Sequence, residues 1–197
     1  MIVKKYYIYF LGLSTFFMSY SCAVKDKNKT SSDSKLLSDL ENYALKVDSA
    51  WTEMMKSDDL KMSNMDRLVE ELKLIEGSSA ISLNALSLDV KNLKSYRYRI
   101  SSIKEDGIID RYDSITDKVY LTLKAEINRN PKTIKYQIIH LLSSEIQLAD
   151  DSVLLYRKNY DKQVDSYNSF VKRNRKNLES NSSQSKLVKY SLFRLVP

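Results

Sequence analysis

Cys22 is the chain's single cysteine, and it follows a basic start (Lys4, Lys5), an apolar run from Tyr6 to Tyr20 and the junction Ser19-Tyr20-Ser21. A charged segment, roughly 7–15 apolar residues and a small-residue junction make an export signal. A thiol at that junction is where diacylglycerol is attached, so the chemistry expected at Cys22 is lipidation, with residues 1–21 removed as a bacterial lipoprotein signal peptide. The apolar run holds 15 residues, fewer than the roughly 20 that a helix needs to span a bilayer. A lipid anchor, rather than a spanning helix, is the expected attachment.

The remaining reactive side chains do not assemble into a catalytic set. His140 is the chain's one histidine and lies between Ile139 and Leu141, with no Glu-x-x-His or His-x-x-x-His spacing around it. Metal sites need several such ligands converging, so no metal and no cofactor is expected. With Cys22 lipidated and no second histidine, neither a Cys-His nor a Ser-His nucleophile pair can form within the chain. A Gly-rich phosphate loop is also missing from the sequence. The chain reads as a non-enzyme.

Charged groups offer binding chemistry instead. Asp58 and Lys61 interrupt an apolar seam and, three residues apart, can pair on one helix face. They would form either a polar layer that touches a partner or fixes register, or two solvated charges with the seam passing through Met62. The second is the expectation. Tyr96-Arg97-Tyr98-Arg99 interleaves aromatic and basic residues, and Lys172-Arg173-Asn174-Arg175-Lys176 is a basic run. Exported proteins rarely meet nucleic acid, so none is expected as a partner. Arg173, Arg175 and Lys176 suit a solvated helix end or contact with anionic envelope material.

These side chains need elements to position them, and the composition specifies which. Three Gly and two Pro in 197 residues, with 43% hydrophobic and 29% charged residues, describe long helices joined by short connections. After the signal, residues 22–34 are polar without periodicity and read as a flexible tether. Residues 35–178 suffice for one domain with a real core. The net charge of +7 falls to +5 once Lys4 and Lys5 are lost, a weak attraction for anionic surfaces.

Gly77, Gly107 and Asn130-Pro131 divide the domain into four periodic segments. The first, about 35–76, has Leu37, Leu40, Ala44, Val47, Trp51, Met54, Asp58, Lys61, Met65, Leu68, Leu72 and Ile75 at alternating steps of three and four, all apolar but Asp58 and Lys61. A second, about 79–105, follows a Ser78-Ser79 cap with Leu83, Leu86, Val90, Leu93, Arg97, Ile100 and Ile103 on one stripe. The third, about 108–129, uses Ile109, Tyr112, Thr116, Val119, Leu123 and Ile127. Asn130 and Pro131 then open a fourth helix, about 132–176. Its stripe runs through Ile138, Leu142, Ile146, Ala149, Val153, Tyr156, Tyr160, Val164, Tyr167 and Val171. The tyrosines of this stripe are expected in the core with their hydroxyls at the rim. Nothing alternates with period two, so the fold class is all-α, an elongated antiparallel bundle of about four helices.

Specific residues add to this pattern. The first helix carries Val47-Asp48-Ser49-Ala50-Trp51 and later Leu68-Val69, and the fourth carries Arg157-x-x-Tyr160-x-x-x-Val164-x-x-Tyr167-Asn168-x-Phe170 with Asn177-Leu178 beyond. On these residues the chain resembles the LemA family over about 36–178. The resemblance implies an elongated, mostly antiparallel helical bundle tied to a membrane at its N-terminus, and it implies no reaction. Where the family has a Leu-Ile-Pro-Asn-Leu stretch, this chain has Asn64-Met65-Asp66-Arg67-Leu68, so no proline kink is forced.

Residues 179–197 complete the chain as a Ser-rich linker and an apolar tail containing Leu187, Tyr190 and Phe193. The tail either docks on the bundle, touches a membrane or engages a partner. Together these features predict a lipid-anchored scaffold or adaptor of the cell envelope, facing the periplasm or exterior. It would bind an envelope protein through Asp58, Lys61, the basic run or the tail. The alternative is a binding module for a small molecule or polymer between the helices. A cavity lined by convergent polar groups would favour the module, and an apolar surface patch the adaptor. The sequence leaves the oligomeric state open.

Overall fold

The computed structural model describes residues 23–181 and 187–193, with side chains from residue 32 to 180 and from 187 to 193. Cys22 and residues 1–21 lie outside the described residues. Four α-helices make the fold: α1 (Ala23–Lys73), α2 (Ala80–Tyr96), α3 (Ile108–Arg129) and α4 (Gln137–Asn181), with a 3-10 turn at Pro131–Lys135. Among the described residues there is no strand, and no helix is long and apolar enough to cross a membrane.

The longest elements are α1 and α4, of 51 and 45 residues, or about 75 and 65 Å at about 1.5 Å per residue. They run antiparallel along their shared length. Tyr43 meets Phe170, Trp51 meets Tyr160, Lys61 meets Asp150 and Asn64 meets Glu145. The first of those residue numbers rises along α1 as the second falls along α4. α2 packs between α1 and α3, and α3 also touches α1, while α3 and α4 lack the close backbone approach that α1 and α4 have.

Local chemistry explains most of the boundaries. Ser79 caps α2, its Oγ accepting from the Ser82 N–H. Gly107 adopts φ +70° just ahead of α3, a left-handed conformation that disfavours any residue with a Cβ. Asn130 Oδ1 accepts from the Lys132 N–H, and Pro131 starts the 3-10 turn. That turn delays α4 to Gln137, five residues after the start read from the sequence. α1 begins at Ala23, so the described part of the stretch assigned to a tether has helical backbone. Extending an existing helix adds one hydrogen bond per residue fixed and avoids a second nucleation cost.

α2 ends at Tyr96, short of the expected 105. Arg97 leaves the helix with ψ 134°, and residues 98–107 fold back as turns held by Ser102 and Arg99. The early stop lets Tyr98 and Ile103 enter the core, a gain of roughly 1.5–3 kcal/mol for a fully buried large side chain.

The core is divided. One cluster joins Met62, Met65, Leu68 and Leu72 of α1 to Leu83, Leu86, Val90 and Leu93 of α2, Val119 and Leu123 of α3, and Ile139, Leu142 and Ile146 of α4. The other joins Val47, Ala50 and Met54 of α1 to Tyr98, Tyr112, Tyr160, Val164, Tyr167 and Phe193. Between them the bundle is polar.

Candidate functional site

The interval between the two clusters holds a cavity of about 400 Å³, lined by α1, α3 and α4. Two small residues in the seams leave the space: Thr116 on α3 and Ala149 on α4 both line it. Two polar ties hold α3 and α4 across it. At one end the Tyr120 hydroxyl and Lys124 Nζ donate to Gln147 Oε1 at 2.9 and 3.0 Å. At the other, Arg157 donates to both carboxylate oxygens of Asp113 at 2.8 and 2.7 Å.

Lys61 forms part of the cavity wall and is buried, 5% exposed. Its Nζ lies 3.2 Å from Asp150 Oδ1 and 4.0 Å from Asp58 Oδ1. Asp58 Oδ2 also accepts from Tyr112 at 2.6 Å and from Arg97 at 3.3 Å, and Arg97 reaches Asp59 at 2.8 Å. The expectation that Asp58 and Lys61 are solvated is therefore corrected: they form a polar layer inside the bundle, and Met62 is buried beside them. The carboxylates around the Lys61 ammonium offset the cost of its desolvation.

The electrostatics follow from these pairings. Burial works against the Arg97 charge, but its hydrogen bonds to Asp59 and Asp58 and the fields of those carboxylates outweigh it and raise its pKa. Arg157 is raised in the same way, with Asp113 and Tyr98 overcoming burial. Burial pushes the Tyr112 hydroxyl far above its ordinary value, and Asp58 adds to it. Asp117, at the cavity mouth, is raised by desolvation and then by Asp150 and Asp113, against the pull of Lys61.

Next to this cavity, the tail docks. Phe193 lies nearly parallel to Trp51 at 6.4 Å, edge-on to Tyr160 at 5.3 Å and to Tyr98 at 5.7 Å, and 5.3 Å from the Arg157 guanidinium. Its N–H donates to Asp161 Oδ1 at 2.8 Å. Tyr190 sits edge-on to Tyr167 at 4.9 Å, its hydroxyl pushed up to about 12 by burial and by Asp48. Phe193 is 7% exposed, so as a partner contact it is corrected: it is occupied by its own bundle. Leu187 and Tyr190 are half-buried.

The other sequence candidates lie elsewhere. Arg173, Arg175 and Lys176 are exposed near the end of α4, with Arg175 paired to Glu179 at 2.7 Å. His140 is exposed, Nε2 3.2 Å from the Ile134 carbonyl. No group of three metal-ligating side chains is found among the described residues. In the tyrosine stripe, Tyr160 is fully buried with no partner for its hydroxyl, so that hydroxyl does not reach the rim.

Sequence reasoning missed Asp113, Asp117 and Asp150 as members of the site. The available signal was the pair of small seam residues, Thr116 and Ala149, flanked by carboxylates at the level of Asp58 and Lys61. No protein-family model, curated protein or solved structure matches the chain.

Proposed function

We propose that the chain is a LemA-like, lipid-anchored protein of the cell envelope that works as a binding module, taking a small molecule into the cavity between α1, α3 and α4. The observation that carries this reading is the cavity itself. It measures about 400 Å³ and is lined by charged groups from three helices together with Met54, Met55, Tyr98, Tyr112 and Tyr156. Ligand sites are concave, about 300–1,000 Å³, with apolar walls and a few fixed polar groups. Lipidation at Cys22 would hold the module at the membrane surface, facing the periplasm or exterior. No covalent step is assigned to it.

A filled cavity tests the proposal. Native mass spectrometry of the intact lipoprotein, extracted in detergent from the expressing cells, should find a retained small-molecule mass. The Ala149→Leu variant, folded by circular dichroism, should lose that mass. Equal retention by both proteins would place the ligand elsewhere and overturn the reading.

One observation favours the adaptor alternative. Leu141, Leu148 and Leu155 are 52%, 68% and 70% exposed at seven-residue intervals along α4, the spacing of a helix-docking stripe. Crosslinking in intact cells that captures the same envelope protein with wild type, and loses it in Leu148→Asp, would favour that reading.

A further inference from the structure

We infer that the aromatic groove holding residues 187–193 is a peptide-binding site, entered by a basic, extended segment of another protein with aromatic side chains three residues apart, and that the chain's own segment competes for it. This goes beyond the cavity reading and does not need the cavity to be filled.

The resident segment shows what the groove reads. Residues 187–193 have neither helical nor strand backbone and run back along α4, with Tyr190 beside Tyr167 and Phe193 beside Tyr160. Tyr160 and Tyr167 are separated by about 10 Å of helix, a distance that three residues cover at about 3.3 Å each when extended. A single extended chain lying on helices has no backbone ladder to join, so its N–H groups need other acceptors. The groove supplies them from side chains: Asp161 Oδ1 accepts from the Phe193 N–H at 2.8 Å, and the Tyr167 hydroxyl meets the Val188 N–H. These contacts suit the main chain of any extended peptide. Two pockets then select side chains. Trp51, Tyr98 and Tyr160 box the Phe193 ring, with the Arg157 guanidinium against it. Tyr167 takes the Tyr190 ring edge-on, and Asp48 meets the Tyr190 hydroxyl.

Charge selects in the same direction. Asp48 and Asp161 touch the segment, and Asp165 adds its field to Asp161. Residues 186–197 carry Lys186, Lys189 and Arg194 and no acid. The contact can also open. Of residues 187–193 only Phe193 is buried, and a short docked segment can leave without unfolding the helices beneath it. The Ser-rich stretch 180–185 tethers it to α4, which sets a local concentration on the order of mM. A partner's segment therefore has to displace a tethered competitor.

Fluorescence anisotropy of a labelled peptide of residues 186–197, titrated with the intact lipoprotein in detergent, tests this. Phe193→Ala and Tyr190→Ala, which release the resident segment at its two pockets, should each bind the peptide at least tenfold more tightly than wild type. A second peptide, keeping only the lysine, tyrosine and phenylalanine of positions 189, 190 and 193 on an alanine and serine background, should bind the same variants. Adding Asp161→Ala to Phe193→Ala should weaken binding about tenfold, and a scrambled peptide should not bind. No binding by either variant, with helicity unchanged, would overturn the inference, as would loss of helicity in both, which would make the segment part of the core. Binding of the first peptide but not the second would overturn the partner assignment. So would a wild-type dimer that Phe193→Ala dissociates, since a second copy's segment would then be the occupant.

Discussion

Arg157 crosses from α4 to Asp113 on α3 through two parallel hydrogen bonds, 2.8 Å from Nη1 and 2.7 Å from Nη2. The same guanidinium donates to the Tyr98 hydroxyl at 3.1 Å and carries Phe193 against it at 5.3 Å. One side chain thus links the cavity, the α3–α4 gap and the docked tail.

Removing the acid from this pair should destabilise the fold more than removing both partners. Asp113→Ala leaves a buried cation with only Tyr98, and a loss of about 1–3 kcal/mol is expected. Leucine at both Asp113 and Arg157 should recover part of it, since an apolar replacement of a buried pair is often neutral. Urea unfolding midpoints of wild type, Asp113→Ala and the double variant measure this; equal losses in Asp113→Ala and the double variant would refute it.

Tail docking should be visible in the emission of Trp51, the chain's one tryptophan. Phe193→Ala removes the ring that lies over it. Emission should move to longer wavelength and acrylamide quenching should rise, while far-ultraviolet helicity stays near wild type. The stability loss should fall below the ~3–5 kcal/mol of an interior Phe→Ala change, because a terminal segment can open locally without unfolding the bundle. Loss of helicity would mean instead that the tail is integral to the core.

Mild acid should stabilise the fold through Asp117. Its carboxyl titrates above the ordinary 3.8 in the folded protein, so the folded state binds more protons than the unfolded state between that value and its own pKa. Stability from this group therefore rises as pH falls through the folded pKa and levels off below 3.8. Comparing urea midpoints across a pH series, the gain on acidification should be smaller in Asp117→Asn than in wild type. Identical slopes would show that Asp117 is not held above its ordinary value.

Gly107 precedes α3 at φ +70°, and a Cβ there would meet nothing within 4 Å. The cost of Gly107→Ala is then backbone strain alone, about 1–2 kcal/mol. Gly107→Asn should cost less, since asparagine tolerates the left-handed region better. Thermal melts of the two variants decide the order, and equal melting temperatures for alanine and wild type would contradict it.

Much of the fold was legible along the chain. α3 runs over Ile108–Arg129 as the sequence predicts, because Gly107 and Asn130-Pro131 are strong local stops at both ends. Ser79 acts as the α2 cap for the same local reason. The end of α2 was not legible: its apolar stripe continues through Ile100 and Ile103, and only the packing of Tyr98 against Phe193 and Tyr112 ends the helix at Tyr96. The delayed start of α4 has a similar origin, with Thr133 Oγ1 donating to the Ile127 and Asn130 carbonyls to stabilise the 3-10 turn.

The candidate site divides along the same line. Asp58 and Lys61 stand out in the sequence as breaks in a seam, since a helix face repeats every 3.6 residues and exposes any polar interruption. Whether such a break is solvated depends on what lies opposite it, and Tyr112, Asp113 and Asp117 are about fifty residues away along the chain. By itself, the sequence determined four helices, their stripes and most of their caps, because those follow from propensity and periodicity within one segment. Only the tertiary structure decided that the polar layer is buried, that the cavity lies between two cores and that the tail is docked. Each of these depends on the antiparallel register of α1 against α4 and on the gap between α3 and α4, which no single segment encodes.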